Sequence, residues 1–178
     1  MPHSASSARR RLKGDKALWF YGPAAGMVAA DQLTKFAARA GLEPDRPVRV
    51  IPGFFDLNLS YNTGGAFGVL PDWAPLFIIV ALVAVFAIVR LGRAAGGSRP
   101  LALGLGLLMG GAIGNLIDRL TAPNHKVTDF LSLHVTIGGQ RYAWPTFNAA
   151  DVGIVAGAAT VFFCVYVIEK RKRDSESE

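Results

Sequence analysis

The chain has 178 residues, 51% of them hydrophobic and 18% charged, with a net charge of +6. Its 20 glycines stand outside that hydrophobic share, so it is far more apolar than a soluble domain, which averages about 45–50% apolar with glycine counted and about 25% charged. The length suits one domain, and the single cysteine, Cys164, excludes a disulfide framework or a cysteine-rich zinc site.

Residues 1–16 form a basic tail carrying Arg9, Arg10, Arg11, Lys13 and Lys16. Four apolar runs free of Asp, Glu, Lys and Arg follow, at 17–30, 73–89, 100–117 and 152–168, with lengths of 14, 17, 18 and 17 residues. A membrane-spanning helix needs about 20 mostly apolar residues, range about 17–25. The second run, WAPLFIIVALVAVFAIV, is a clear span, and the fourth nearly as clear. The third is rich in Gly and Leu. The first reaches span length only by continuing through Asp31 and Lys35. Taken alone, it also fits a cleaved signal peptide, with a basic start and Val28-Ala29-Ala30 as the cleavage site. A soluble bundle would need more polar faces than remain.

Between the first two spans, the segment 41–71 is too polar for a simple turn. Val48-Arg49-Val50 and the stretch from Phe54 to Tyr61, separated by Pro52-Gly53, read as two short strands or a small sheet. The segment 120–147 alternates only weakly. Its clearest pieces are Leu133-His134-Val135-Thr136-Ile137 and a hairpin turn at Gly138-Gly139. Gly106, Gly110 and Gly114, and likewise Gly153 and Gly157, are spaced four apart, which predicts close packing of the third and fourth spans.

Positive charge orients the spans. With the N-terminus cytoplasmic, the inner segments hold 12 of the 19 basic residues: the five in the tail, Arg90, Arg93, Arg99, and Lys170 to Arg173. The other 7 are spread over longer outer loops. Both termini are then inside. The basic clusters are accounted for by topology and anionic lipid, and nucleic acid is not called for. Asp31, Asp118 and Asp151 lie at or inside the outer ends of the first, third and fourth spans. Acids so placed are costly and each needs a named partner.

Five polar motifs fall at that outer interface: Asp31-Gln32-Leu33-Thr34-Lys35, Asn62-Thr63-Gly64-Gly65-Ala66-Phe67-Gly68, Gly114-Asn115-Leu116-Ile117-Asp118-Arg119, Val127-Thr128-Asp129-Phe130 and Phe147-Asn148-Ala149-Ala150-Asp151. They contain no cysteine and no nucleophile-elbow serine. His125 and His134 lack paired metal-ligand spacing, so serine, cysteine and zinc hydrolysis are poorly supported. A pair of carboxylates remains, one taking a proton from water and the other donating to the scissile carbonyl. Asn148 and Asp151 share a helical face, with Asn148 as N-cap and Asp151 in the first turn, a placement that serves capping and catalysis equally. Asp129, in the loop leaving the third span between apolar neighbours, is either a perturbed acid or a turn residue. Asp118, followed at once by Arg119, is expected to form a structural ion pair with it.

Carried in order on a four-span chain, these motifs resemble the type II signal peptidases, the bacterial prolipoprotein signal peptidases, from residue 31 to about residue 155. The resemblance implies catalytic roles for Asp129 and Asp151. It implies binding or supporting roles for Asp31, Lys35, Asn62, Gly114, Asn115, Asp118, Arg119 and Asn148. It further implies an aspartyl endopeptidase without metal or cofactor that cuts lipid-modified prolipoproteins before a diacylglyceryl-modified cysteine. An outer β-segment would cradle the substrate, and cyclic peptide antibiotics would inhibit. Asp31 and Lys35 match a motif at the outer end of the first span, so that span is retained rather than cleaved. The chain departs from the family at His125, where a Gly often stands four residues before the first catalytic Asp, and in the individual connection 132–145.

The expected architecture is an all-α membrane protein with four transmembrane helices and a small extracytoplasmic β-subdomain. Residues 1–16 form a cytoplasmic tail, 17–169 the catalytic membrane domain including the outer β-segment 41–71, and 170–178 a charged cytoplasmic tail. The location is the bacterial inner membrane, in contact with membrane lipid. A transporter, with the same acids lining an ion path, is the rival class. It would bring inverted repeats and a midplane site, whereas no repeat is visible and the polar motifs share one face.

Overall fold

The computed structural model of the chain describes residues 3–63, 73–94 and 98–176. The stretch from Gly64 to Gly68 of the second polar motif lies outside the described residues. Four helices, α1 (His3–Gly41), α2 (Ala74–Ala94), α3 (Arg99–Thr121) and α4 (Ala149–Glu176), carry four strands between them: β1 (Val48–Ile51), β2 (Phe55–Asn62), β3 (Val127–Ile137) and β4 (Gln140–Ala143).

Among the described residues, three helices are long and apolar enough to cross a membrane. They are α2, α3 and α4, with mean hydropathies of 2.7, 1.7 and 2.1 over their most apolar windows. Half of that window in α3 is buried, against 6% in α2 and 11% in α4, so α3 is the central helix and the other two turn apolar faces outward. Phe86 and Phe162 are among the exposed side chains, as a lipid environment permits. Phe20 and Ala24 of α1 pack with Ala102, Leu105 and Met109 of α3, flanked by Ile88 of α2 and Val161 of α4. The first apolar run continues as helix well past Ala30 because Asp31 and Lys35, one turn apart, neutralise each other at 2.9 Å.

The glycine faces divide differently from the expectation. Gly106 and Gly110 meet the Phe20 and Ala24 carbonyls, and Gly114 meets Asp31, so this face packs on α1 rather than α4. Gly104, Gly111 and Gly157 make the α3–α4 contact. Helices three and four do pack together, with Gly157 of the spaced set at the contact, but on α3 the glycines used are Gly104 and Gly111.

The strands form one antiparallel sheet in the order β1-β2-β3-β4. The central β2–β3 pairing joins segments separated in sequence by two helices. Gly138 (φ 60°) and Gly139 (φ 81°) make the expected hairpin turn, in a left-handed conformation that glycine adopts at little steric cost. Ala38 of α1 and Leu42 just beyond it pack on Leu59 and Phe130, fixing the sheet to the end of that helix. Asp129 is therefore a strand residue, not a loop residue: β3 begins at Val127, because pairing with Asn62, Tyr61 and Ser60 absorbs the backbone there.

Candidate active site

The register of the sheet places the first acid. Asn62 pairs with Val127 and Ser60 with Asp129, so Asn62 and Asp129 share one face, and Asn62 Nδ2 donates to Asp129 Oδ2 at 3.3 Å. After β4 the chain returns along β3, where Phe147 exchanges backbone hydrogen bonds with Leu131 at 2.8 and 3.0 Å. That contact delivers the next residue, Asn148, to Asp129. Asn148 Nδ2 donates to Asp129 Oδ1 at 2.6 Å.

Asn148 also caps α4 as its sequence spacing predicts. Its Oδ1 accepts the Asp151 N–H at 3.0 Å, while Asp151 Oδ2 accepts the Asn148 N–H at 3.0 Å. This reciprocal cap satisfies two backbone donors at the helix start. The other Asp151 oxygen, Oδ1, accepts from Asn115 Nδ2 at 2.8 Å. Asp129 and Asp151 line one cavity of about 290 Å³ together with Asn62, Asn115 and Arg119. Burial and, after it, the negative charge of Asp151 push the Asp129 carboxyl up to about 7; hydrogen bonds from Asn148 and Asn62 and the charge of Lys35 pull the other way.

Beneath the acids lies a buried charge cluster. Lys35, fully buried, is 2.9 Å from Asp31 and 3.3 Å from Asp118, and donates to Asn115 Oδ1 at 2.9 Å. Asp31 Oδ1 accepts the Ala150 N–H at 2.9 Å, tying α1 to the first turn of α4. Gly114 leaves room for this: a Cβ there would stand 2.5 Å from Asp31 Oδ2.

The expected Asp118–Arg119 pair does not form. Successive helix residues point about 100° apart. Asp118 instead faces Lys35, takes the Thr128 N–H at 2.9 Å and lies 3.9 Å from Arg39. Arg119 turns to the cavity, with its guanidinium 4.8 Å from the Phe77 ring centroid. His125, where the family often has Gly, adopts φ 55°, a left-handed conformation costly for a branched side chain. Its ring Nδ1 donates to the Arg119 carbonyl at 2.6 Å, closing the end of α3 and offsetting that cost.

Of the ten residues singled out from the sequence, Asn62, Asn115, Arg119, Asp129 and Asp151 line this cavity, and the other five join them through the contacts above. Two sets were missed. Gln32 donates to Asp31, to the Gly114 carbonyl and to Asp118, at 3.1, 3.1 and 3.4 Å; its place inside the first motif was the available signal. Trp144, Pro145 and Thr146 line the cavity from a connection that carries no recognisable pattern. Among the described residues no group of three His, Cys, Asp or Glu is placed to hold a metal ion.

The cavity holds the parts for general acid–base hydrolysis: a carboxyl poised near neutrality beside a second aspartate whose two oxygens meet N–H donors. Residues 24–167 match the family described as Signal peptidase (SPase) II. The lipoprotein signal peptidase of Oleidesulfovibrio alaskensis is 47% identical over 148 residues, covering 80% of this chain and 91% of its own. The lipoprotein signal peptidase of Rhodopseudomonas palustris is 42% identical over 150 residues, covering 80% and 89%. A solved bacterial membrane enzyme structure, determined by the in meso method at 2.3 Å, superposes with a TM-score of 0.75 at 28% identity, covering 89% of this chain and 92% of its own. The match over most of the sequence, motifs and fold together, shows that the chain belongs to the signal peptidase II family.

Proposed function

We propose that this protein removes signal peptides from diacylglyceryl-modified prolipoproteins, cutting before the lipidated cysteine, with Asp129 and Asp151 as the reacting pair. The observation that carries the assignment is the shared cavity in which Asn148 bridges the two acids. Asp129, raised to about 7, is the member able to carry a proton near neutral pH and donate it to the scissile carbonyl oxygen. Asp151, with N–H donors on both oxygens, is the carboxylate that takes a proton from the attacking water. Arg119 supplies positive charge to the same cavity, near the oxygen on which negative charge develops.

The topology that suits this chemistry has α1 as a fourth span, both termini cytoplasmic, and the sheet at the outer face of the inner membrane. Its support is the basic bias of the inner segments and the position of every site residue toward one end of the helices. The substrate signal helix then enters laterally from the bilayer. Burial of its acyl chains, at ~0.8 kcal/mol per CH₂, contributes to binding. Cyclic peptide antibiotics would compete for the same cavity.

The test is cleavage of a lipidated precursor by purified Asp129→Asn and Asp151→Asn variants. Each is expected to lose turnover while inserting and folding normally. Near-normal turnover by either one removes that residue from the pair.

A further inference from the structure

Lys35 touches neither acid of the pair, yet it donates to Asn115, which bonds Asp151 directly and Asp129 through Asn148. We propose that Lys35 is a positioning residue for catalysis: its ammonium fixes the amide polarity of Asn115, and through Asn115 that of Asn148, so that Asp151 and Asp129 each meet an N–H donor. The inference rests on the assignment of these two aspartates as the reacting pair.

What each group is able to donate fixes the directions. An ammonium has three donors and no acceptor. The Asn115 atom 2.9 Å from Lys35 Nζ must therefore be the carbonyl oxygen, and the amino group is left for Asp151 Oδ1 at 2.8 Å. The same Asn115 oxygen has a second lone pair, which receives Asn148 Nδ2 at 3.0 Å. That amino group spends its remaining hydrogen on Asp129 Oδ1 at 2.6 Å, and Asn148 Oδ1 is thereby turned to the Asp151 N–H. Every link has one permitted direction, the one that the donor-only ammonium at one end and the donor-only Asp151 N–H at the other both require. Reversing the Asn115 amide would put its carbonyl oxygen against the Asp151 carboxylate and its amino group against the ammonium. A glutamine at position 35 carries its own acceptor and would not impose the choice.

The competing role for Lys35 is charge balance, since Asp31 and Asp118 flank it at 2.9 and 3.3 Å. The two roles separate in the double variant Asp31→Asn/Lys35→Met. It removes one charge of each sign and keeps an oxygen at position 31 for the Ala150 N–H. If Lys35 only balances charge, the double variant restores wild-type kinetics. If Lys35 sets amide polarity, kcat for a lipidated precursor falls on the order of 10²-fold, by analogy with losing one preorganised donor, while KM stays within about twofold. The alkaline limb of the kcat profile also moves up by about one pH unit, because Lys35 and the Asn148 donor both hold the Asp129 carboxyl down.

Asn115→Asp is the second variant, should the double variant fail to fold. It is nearly isosteric and keeps Lys35, but it turns an acceptor toward Asp151. The same fall in kcat, with KM kept and the alkaline limb raised, is expected. Wild-type kcat and pH profile in either folded variant overturns the inference, and so does a fall in kcat with an unmoved alkaline limb. Asp129→Asn and Asp151→Asn are assayed beside them. If either of those retains turnover, the assignment of the pair fails. If both are inactive while the Lys35 and Asn115 variants behave as wild type, only the positioning role fails.

Discussion

Replacing Asp129 by asparagine should make the protein more stable at pH 8 and less stable at pH 4. The folded protein holds the Asp129 carboxyl at about 7, against an ordinary 3.8. Between those values the folded chain keeps a proton that the unfolded chain has released, so stability falls as pH rises from about 4 to about 7 and is level beyond. At ~1.4 kcal/mol per pH unit, the ionised folded form is penalised by about 4 kcal/mol. Asp129 is 2% exposed, so solvent relieves little of this. Asparagine does not titrate. Its carbonyl still accepts from Asn148, but its amino group faces the Asn62 donor that Oδ2 now receives at 3.3 Å, a loss of about 1 kcal/mol. The variant should therefore gain roughly 2–3 kcal/mol at pH 8 and lose about 1 kcal/mol at pH 4. Thermal unfolding of both proteins in one detergent, followed by tryptophan fluorescence across this range, gives the comparison. A difference that does not change with pH, or that grows as pH falls, would refute the electrostatic account of the site. The proposed acid would thus weaken the fold at the pH where it works.

Asp118→Ala strips Lys35 of one partner and leaves the Thr128 N–H unsatisfied, at a cost of roughly 3–5 kcal/mol if burial is complete. The melting temperature should drop while the folded fraction still cleaves; unchanged melting with no turnover would place Asp118 in the chemistry. Gly114→Ala drives a methyl against the Asp31 carboxylate and should lower stability by about 1–3 kcal/mol, read as a lower detergent melting temperature; an unchanged one would contradict the close α1–α3 approach. Cys164→Ser should retain activity, and chelators should not inhibit, because Cys164 lies 13 residues beyond Asp151 on α4, about 20 Å along the helix. Inactivation by the substitution, or zinc rescue after chelation, would count against the aspartyl pair.

The sequence makes local relations in this protein visible and hides those that depend on which helix face meets which. Asn148 and Asp151, three apart, announce the cap that places the second acid, and Gly138-Gly139 announces the hairpin. Neither needs knowledge of anything more than a few residues away. The partner of Asp118 needs such knowledge. Arg119 is adjacent in sequence but points elsewhere, and Lys35, 83 residues earlier, reaches Asp118 only because Gly106, Gly110 and Gly114 let α1 lie against α3. The same blindness assigned that glycine face to α4. It also ended the first apolar run at Ala30, since a hydropathy count treats Asp31 and Lys35 as two charges when in the fold they form a buried pair.

These failures share a cause that also locates the site. An apolar run reports a surface that lipid can cover, as α2 and α4 present; α1 and α3 break the pattern with Asp31, Lys35, Asn115 and Asp118. A charge placed among apolar helices is retained only where a partner meets it, so each break implies a partner on another element. The breaks in α1 and α3 fall level with each other and with the start of α4, where Asp31 binds the Ala150 N–H and Asn115 binds Asp151. Position along the chain therefore reveals that these groups converge, while the direction of each hydrogen bond among them, which the donor-only ammonium of Lys35 and the Asp151 N–H both require, is a property of the packed helices alone.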